Sequence, residues 1–190
     1  MNQIGKIEKS YSYTIPEGPH KGETLWSGRY CAVSCVVLAK EKDGKWCVLI
    51  NKRGRGTPDD QGKWNMPCGY LDGGESATEA CSREVAEECG VSIPSEAFAL
   101  INVETDPKKC NKGNVTLRHL CILGLRKPIG KLQEGGEKDE VDGIKWLPIE
   151  EIPNYNWAFN HKSTLLNEII PKLEEYYHNY VLDTIKVTYE

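Results

Sequence analysis

The sequence predicts a single α+β domain built around a mixed β-sheet. Strand-like and helix-like segments interleave along the chain, without the regular strand–helix–strand repetition of a doubly wound fold. No tract rich in Pro, Gly or Ser divides the 190 residues, and that length suits one domain with its own core. Residues 1–27 are polar and mixed and read as an extension, a strand or a dimer arm. The domain proper is expected over 28–190.

The elements follow in order. Tyr30 to Leu38 (YCAVSCVVL) is apolar and β-branched and reads as a buried strand. Lys42-Asp43-Gly44-Lys45 supplies a hairpin turn, and Trp46 to Lys52 is the returning strand, with Trp46, Val48 and Ile50 on one face. A long loop full of breakers runs on to Gly69. Ser76-Ala77-Thr78-Glu79 fits a capping box, so a helix should start there and run to about Cys89, with Gly90 as its left-handed stop. Strands are expected at Ala97 to Glu104, Val115 to Leu123 and Val141 to Leu147. Trp157 to Tyr177 carries apolar residues at helical spacing, and Pro171 should kink or break that helix. Val181 to Val187 is expected to pair as a final strand.

Composition narrows the class. Lys and Arg number 24 against 28 Asp and Glu, a net charge of −4 with a pI near 5.7. Nucleic acid and membrane surfaces demand a basic face, so neither is expected as a partner. No apolar run approaches the roughly 20 residues of a membrane span, and the start lacks the apolar stretch of a signal peptide. The eight cysteines form no CxxC, and free buried thiols in a reducing compartment, the cytoplasm, explain them best.

Chemistry concentrates in Gly69 to Val91, GYLDGGESATEACSREVAEECGV. At about 100° per residue, Glu84 and Glu88 lie some 40° apart, with Glu87 about 60° to the other side of Glu84. Three carboxylates therefore crowd one flank of one helix. Like charges at this spacing each cost a helix roughly 0.2–0.5 kcal/mol, and the C-terminal end of the dipole favours cations instead. A hard divalent cation would compensate, since Mg²⁺ takes oxygen ligands from a few carboxylates and substrate phosphates. A solvated acidic face is the plain alternative. Against it, Ala80, Cys81 and Val85 share this side of the helix and should bring the flank against the protein body.

Here the sequence resembles the Nudix hydrolases, whose signature is G-x5-E-x7-R-E-U-x-E-E-x-G-U, with U aliphatic. Gly69, Glu75, Arg83, Glu84, Val85, Glu87, Glu88, Gly90 and Val91 fill every specified position. Trp64 and Pro67 before the box, and Trp146-Leu147-Pro148 after it, extend the likeness to most of Cys31–Ile152. The resemblance implies a Nudix-type α/β/α sandwich around a mixed β-sheet. It also implies cleavage by water, with Mg²⁺ or Mn²⁺, of a nucleoside diphosphate linked to another group. On this basis Glu84, Glu87 and Glu88 are the expected metal ligands and Arg83 orients the carboxylates. Glu75 supports the metal network, and Glu84 or a loop acid is the general base. The backbone carbonyl of Cys68, where the family usually has Gly, is a further expected ligand. Of the acids in the later loop (Glu134, Glu137, Asp139, Glu140, Asp142), Glu137 is favoured as late ligand or base.

Substrate is less constrained. Glu104-Thr105-Asp106-Pro107 and the strand beyond it resemble members that hydrolyse ADP-ribose, so ADP-ribose or a nucleotide sugar is the first expectation. A nucleoside triphosphate pyrophosphohydrolase, a non-catalytic nucleotide-binding relative and a prenyl diphosphate isomerase using Cys68 are the alternatives. Arg53 and Arg55 would grip phosphate through their guanidinium groups, against a plain reading as solvated basic residues. Trp64 and His119 read as core residues, and a homodimer is a family-level expectation.

Overall fold

The computed structural model describes residues 12–14, 17–26, 29–109, 113–125, 127–129 and 139–179. Two short strands, β1 (Ser12–Thr14) and β2 (Thr24–Trp26), pair antiparallel as a separate ribbon. Arg29 ties the chain that follows to the body by donating to the carbonyls of Thr105, Gly113 and Asn114. The expected final strand at 181–187 lies outside the described residues.

The main sheet has seven strands: β3 (Cys31–Lys40), β4 (Trp46–Arg53), β5 (Trp64–Asn65), β6 (Cys68–Tyr70), β7 (Ala99–Glu104), β8 (Val115–Leu123) and β9 (Val141–Pro148). Its order is β5-β4-β3-β8-β7, with β6 beside β3 and β9 beside β4. β3 and β8 run parallel, from Cys31↔Val115 to Ala39↔Leu123, and the other pairs are antiparallel, so the sheet is mixed as the sequence predicts. Gly44 turns the β3–β4 hairpin at φ 85°, a conformation that L residues rarely adopt.

Strand side chains alternate between faces. Val33, Cys35 and Val37 of β3 join Cys47 and Leu49 under the helix α1 (Ala77–Cys89), which buries Ala80, Cys81, Val85 and Cys89. Val36, Leu38, Val48, Ile50, Leu120 and Ile122 cover the other face, against Leu165, Ile169 and Leu173 of a C-terminal helical segment. A strand covered on both faces has no use for polar alternation, which is why 33–39 reads as one apolar run. The three layers are the α/β/α sandwich the resemblance implied.

Three boundaries differ from expectation. The strand expected from Ala97 begins at Ala99, because Ser95–Ala97 forms a 3-10 turn. The long loop contains the short strands β5 and β6. The C-terminal helix begins at His161 rather than Trp157. Residues 156–158 instead run beside Trp64, with Trp64 N–H bonded to Asn156 O and Ala158 N–H to Trp64 O, both at 2.8 Å. From His161–Thr164 (α2) the winding loosens to π over Leu165–Ile169 and tightens to 3-10 over Ile170–Lys172. Pro171 lacks the N–H an α-turn needs, so the chain absorbs it by changing pitch. Lys40 pins the far end, its Nζ lying 4.1 Å from the Tyr177 ring centroid and 4.8 Å from that of Trp46.

Of two residues expected in the core, His119 is buried at 2% exposed, while Trp64 is only partly buried against the core and meets Tyr155 edge-on at 5.7 Å. His161 is buried as well, and its Nδ1 accepts the Met66 N–H at 3.0 Å. Burial, with Arg118 and Arg53 nearby, holds its pKa down near about 3, so it is neutral. His161→Ala leaves the Met66 N–H without a partner. It should cost about 1–3 kcal/mol, read as a lower urea midpoint at constant slope.

Candidate active site

The site grows out of β6, the loop behind it and α1. Ser76 caps the helix as expected: the Glu79 N–H reaches Ser76 Oγ at 3.3 Å, and the Ser76 N–H reaches Glu79 Oε2 at 2.7 Å. Gly90 ends it at φ 63°, its N–H bonded to Ala86 O. Such caps each contribute about 1 kcal/mol, and they hold the acidic flank in register.

Arg83 is the hub. Its Nε and Nη2 reach the two oxygens of Glu75 at 3.0 and 2.7 Å, and Nη1 reaches Glu84 Oε1 at 2.8 Å and Glu87 Oε2 at 3.1 Å. Nη2 also donates to the Tyr70 carbonyl at 3.1 Å. The five bonds use all the donors a guanidinium has. Glu75 is saturated by Arg83 and by the Asp72 N–H, and Arg83 holds its carboxyl below the usual range.

Glu84 is 8% exposed. Burial pushes its pKa up to about 7, against the pull of Arg83. It lies against Gly69, where a Cβ would run into its carboxylate, with Oε2 only 2.7 Å from that position. Glu88 Oε2 accepts the Cys68 N–H at 2.9 Å, and desolvation plus the neighbouring Glu84 push its carboxyl well up. Glu87 is more open, its side chain 40% exposed.

Among the described residues no three His, Cys, Asp or Glu side chains converge on one point. Glu84 and Glu87 share Arg83, while Glu88 turns to the Cys68 backbone. The donor set nevertheless suits a hard cation. Glu75, Glu84 and Glu87 share one saturated guanidinium, and Glu84 and the neighbouring Glu88 are desolvated carboxylates that would be balanced by further positive charge. Such an ion would be held by Glu84, Glu87 and Glu88.

The Cys68 backbone fits this setting. The bonds from Cys35 N–H to Pro67 O and from Leu71 N–H to Cys31 O make Ser34 and Cys68 a non-hydrogen-bonded pair. The Cys68 N–H and carbonyl therefore both point away from β3, on the Glu88 side. Cys68 is not among the residues with positive φ, so the loss of the usual glycine imposes no strain. Burial and Glu88 hold its thiol protonated, which removes the thiolate an isomerase of the alternative kind would use.

The two arginines end differently. Arg53 is buried, donates to Asp59 O at 3.0 Å and Oδ1 at 2.8 Å, and lies 4.8 Å over the Phe159 ring. Its charge favours ionised Glu88. Arg55 is exposed, 3.5 Å from Asp139. Glu134 and Glu137 lie outside the described residues. Glu140 is the late acid whose charge acts on Glu88. Its carbonyl accepts the Gly54 N–H at 2.6 Å, and a Cβ on Gly54 would run into the Asp139 carbonyl. Sequence reasoning passed over Asn51 and Asn65, partners in register whose buried Oδ1 atoms have no hydrogen-bond partner. Asn65 also donates to Cys68 Sγ at 3.5 Å. A polar residue inside an otherwise apolar strand was the available signal.

The NUDIX domain profile matches residues 29–167. The chain belongs to the Nudix hydrolases. It is 30% identical over 141 residues to phosphatase NudJ of Escherichia coli K12, covering 74% of this chain and 80% of that protein. It is 27% identical over 157 residues to Nudix hydrolase 2 of Arabidopsis thaliana, of whose length it spans about half, 52%. Its Nudix fold is similar to the NUDIX domain of Shewanella oneidensis NrtR complexed with ADP ribose, with a TM-score of 0.61 at 20% identity over 73% of this chain and 85% of that one. A bifunctional NMN adenylyltransferase/ADP ribose pyrophosphatase of Francisella tularensis, complexed with AMP and a Mn ion, aligns with a TM-score of 0.58. That likeness has 19% identity and covers 74% of this chain and 42% of that one. No helix among the described residues of this Nudix protein is long and apolar enough to cross a membrane.

Proposed function

We propose that this Nudix protein is a Mg²⁺-dependent hydrolase that cleaves the diphosphate linkage of a nucleoside diphosphate derivative, with ADP-ribose or a nucleotide sugar first. The observation that carries the reading is the desolvated pair Glu84 and Glu88, set on an intact box whose Arg83 is saturated by carboxylates. A divalent ion, Mg²⁺ or Mn²⁺, supplies charge neutralisation of the diphosphate and a lowered pKa for bound water. Glu84, Glu87, Glu88 and the Cys68 carbonyl would hold it. Glu75 acts through Arg83, which fixes where Glu84 and Glu87 can point. Water attacks one phosphorus and the other phosphate leaves. Glu84, poised near about 7, takes the proton, with Glu137 or Glu140 as the late acid. Arg55 meets the phosphates from the exposed side. Arg53 reaches them only beyond its commitment to Asp59. The reading places the protein in the cytoplasm as a homodimer, without nucleic acid or membrane partners.

Purified protein with Mg²⁺ should release AMP from ADP-ribose. A panel of nucleotide sugars, nucleoside tri- and diphosphates, dinucleoside polyphosphates and NADH, scored by kcat/KM, fixes the substrate. Failure to release a nucleoside monophosphate from every compound would refute the reading.

Gly69→Ala gives a separate check. The added methyl displaces the Glu84 carboxylate, the far end of a flexible side chain, so the fold should tolerate it. Activity should fall about 100-fold, while the melting temperature moves by less than about 3 °C.

A further inference from the structure

Glu88 stands apart from the other acids. The donors of Arg83 go to Glu75, Glu84, Glu87 and the Tyr70 carbonyl, and the hydrogen bond that Glu88 accepts among the described residues comes from the Cys68 N–H, at 2.9 Å. The position of Cys68 therefore decides where Glu88 points. Cys68 is held in turn from within its own turn and from the C-terminal segment. Asn65 donates from Nδ2 to the Met66 carbonyl at 2.8 Å and to Cys68 Sγ at 3.5 Å, which closes the Met66-Pro67-Cys68 stretch on itself. The Met66 N–H donates to His161 Nδ1 at 3.0 Å, and residues 156–158 bracket Trp64 just before it. On the far side the Pro67 carbonyl accepts the Cys35 N–H at 2.8 Å. Asn65, Met66 and His161 are all buried, so water cannot stand in for a partner that is removed.

We propose that His161 and Asn65 are positioning residues for the metal-binding acids. The hydrogen-bonded line His161–Met66–Asn65–Cys68–Glu88 carries the placement of the C-terminal segment to the carboxylate that Arg83 does not reach. The inference rests on reading the acid cluster as a cation site. The same line fixes the Cys68 carbonyl, so a shift of this stretch displaces two expected ligands at once. A glycine at position 68 would offer Asn65 no side chain to hold, which gives the cysteine a role that needs no reactive thiolate. Residues that orient metal ligands from behind typically contribute about 10–100-fold to metal affinity or activity.

The test measures metal binding without nucleotide. On the full chain, Mn²⁺ followed by the EPR signal of the free ion should bind about tenfold more weakly to Asn65→Ala and to His161→Gln than to wild type. His161→Asn should regain most of that affinity, because the amide oxygen it introduces falls near the Nδ1 position, whereas His161→Gln places one near Nε2, away from the Met66 N–H. With ADP-ribose, Asn65→Ala and His161→Gln should need about tenfold more Mg²⁺ for half-maximal rate, while KM for the nucleotide at saturating Mg²⁺ moves less than about twofold. Leu173→Ala, a truncation in the core under the same segment, should lower the melting temperature and leave Mn²⁺ affinity alone. Unchanged Mn²⁺ affinity in Asn65→Ala and His161→Gln overturns the inference, as does an equal loss in Leu173→Ala, the mark of general loosening. If His161→Gln does not fold, Asn65→Ala decides. Wild type that binds no Mn²⁺ overturns the cation-site reading and this inference with it. Wild type that binds Mn²⁺ but cleaves no nucleotide overturns the proposed reaction alone, and the Mn²⁺ affinities still decide the positioning role.

Discussion

Glu84→Gln and Glu88→Gln should each lower kcat by at least about 10²–10⁴ while leaving the fold intact. Each swap removes a charge and keeps the shape. The amide oxygen introduced at position 88 can still accept the Cys68 N–H, and the one introduced at position 84 can still accept from Arg83, so the local hydrogen bonds survive. What is lost is the anionic oxygen, either as a cation ligand or as the base that takes the proton from water, and general-base catalysis alone is worth that range. Stability should move the other way. Glu84 and Glu88 are carboxylates that burial disfavours as anions, so without metal at pH 8 the neutral amides should melt no lower than wild type, and Glu84→Gln higher. Circular dichroism and melting establish the fold, and single-turnover rates establish the chemistry. Full activity in both variants would show that these acids do not act in the reaction.

Metal-free protein should lose stability as pH rises from 5 to 8. Glu84 titrates at 4.5 in its unperturbed state and near about 7 in the folded chain. Between those values the folded state holds a proton that the unfolded state has released, so stability is full below the lower value and is lost as pH climbs through the upper one. The loss is on the order of 3 kcal/mol, or roughly 6–12 °C in melting temperature for a chain of this size. Glu88 acts in the same direction, its carboxyl also raised by desolvation. Glu75 acts in the opposite one: Arg83 depresses its carboxyl, so its contribution is present above the ordinary carboxylate range and vanishes only as pH falls below it. The metal-free optimum should therefore lie near pH 5. If Mg²⁺ binds the ionised acids of the folded state, as proposed, an excess of it should raise the melting temperature at pH 8 far more than at pH 5. A flat or rising metal-free profile, or equal rescue at both pH values, would contradict the assignment. Melting curves in EDTA and in Mg²⁺ across this range decide it.

Most of the fold was legible because its signals are local. The capping box at Ser76 and Glu79, the stop at Gly90, the turn at Gly44 and the apolar run 33–39 each depend on neighbours a few residues away. The errors have the opposite origin. Trp157 to Asn160 carries a helical pattern, yet Trp64 recruits residues 156–158 into strand-like pairing from far along the chain. The same holds for β5 and β6, which exist only because β4 and β3 lie beside them.

The site divides in the same way. Residue types and spacing alone placed Glu84, Glu87 and Glu88 on one helical flank, since a helix fixes which of its own side chains are neighbours, and the resemblance added Arg83. Folding brought Gly69 under the Glu84 carboxylate, the Cys68 N–H to Glu88, Glu140 within electrostatic reach of Glu88, and Arg53 into its pairing with Asp59. Those contacts set how much water each carboxylate keeps, and hence its charge near neutral pH. Solvent exclusion is a property of the assembled layers, so no stretch of chain can encode it alone.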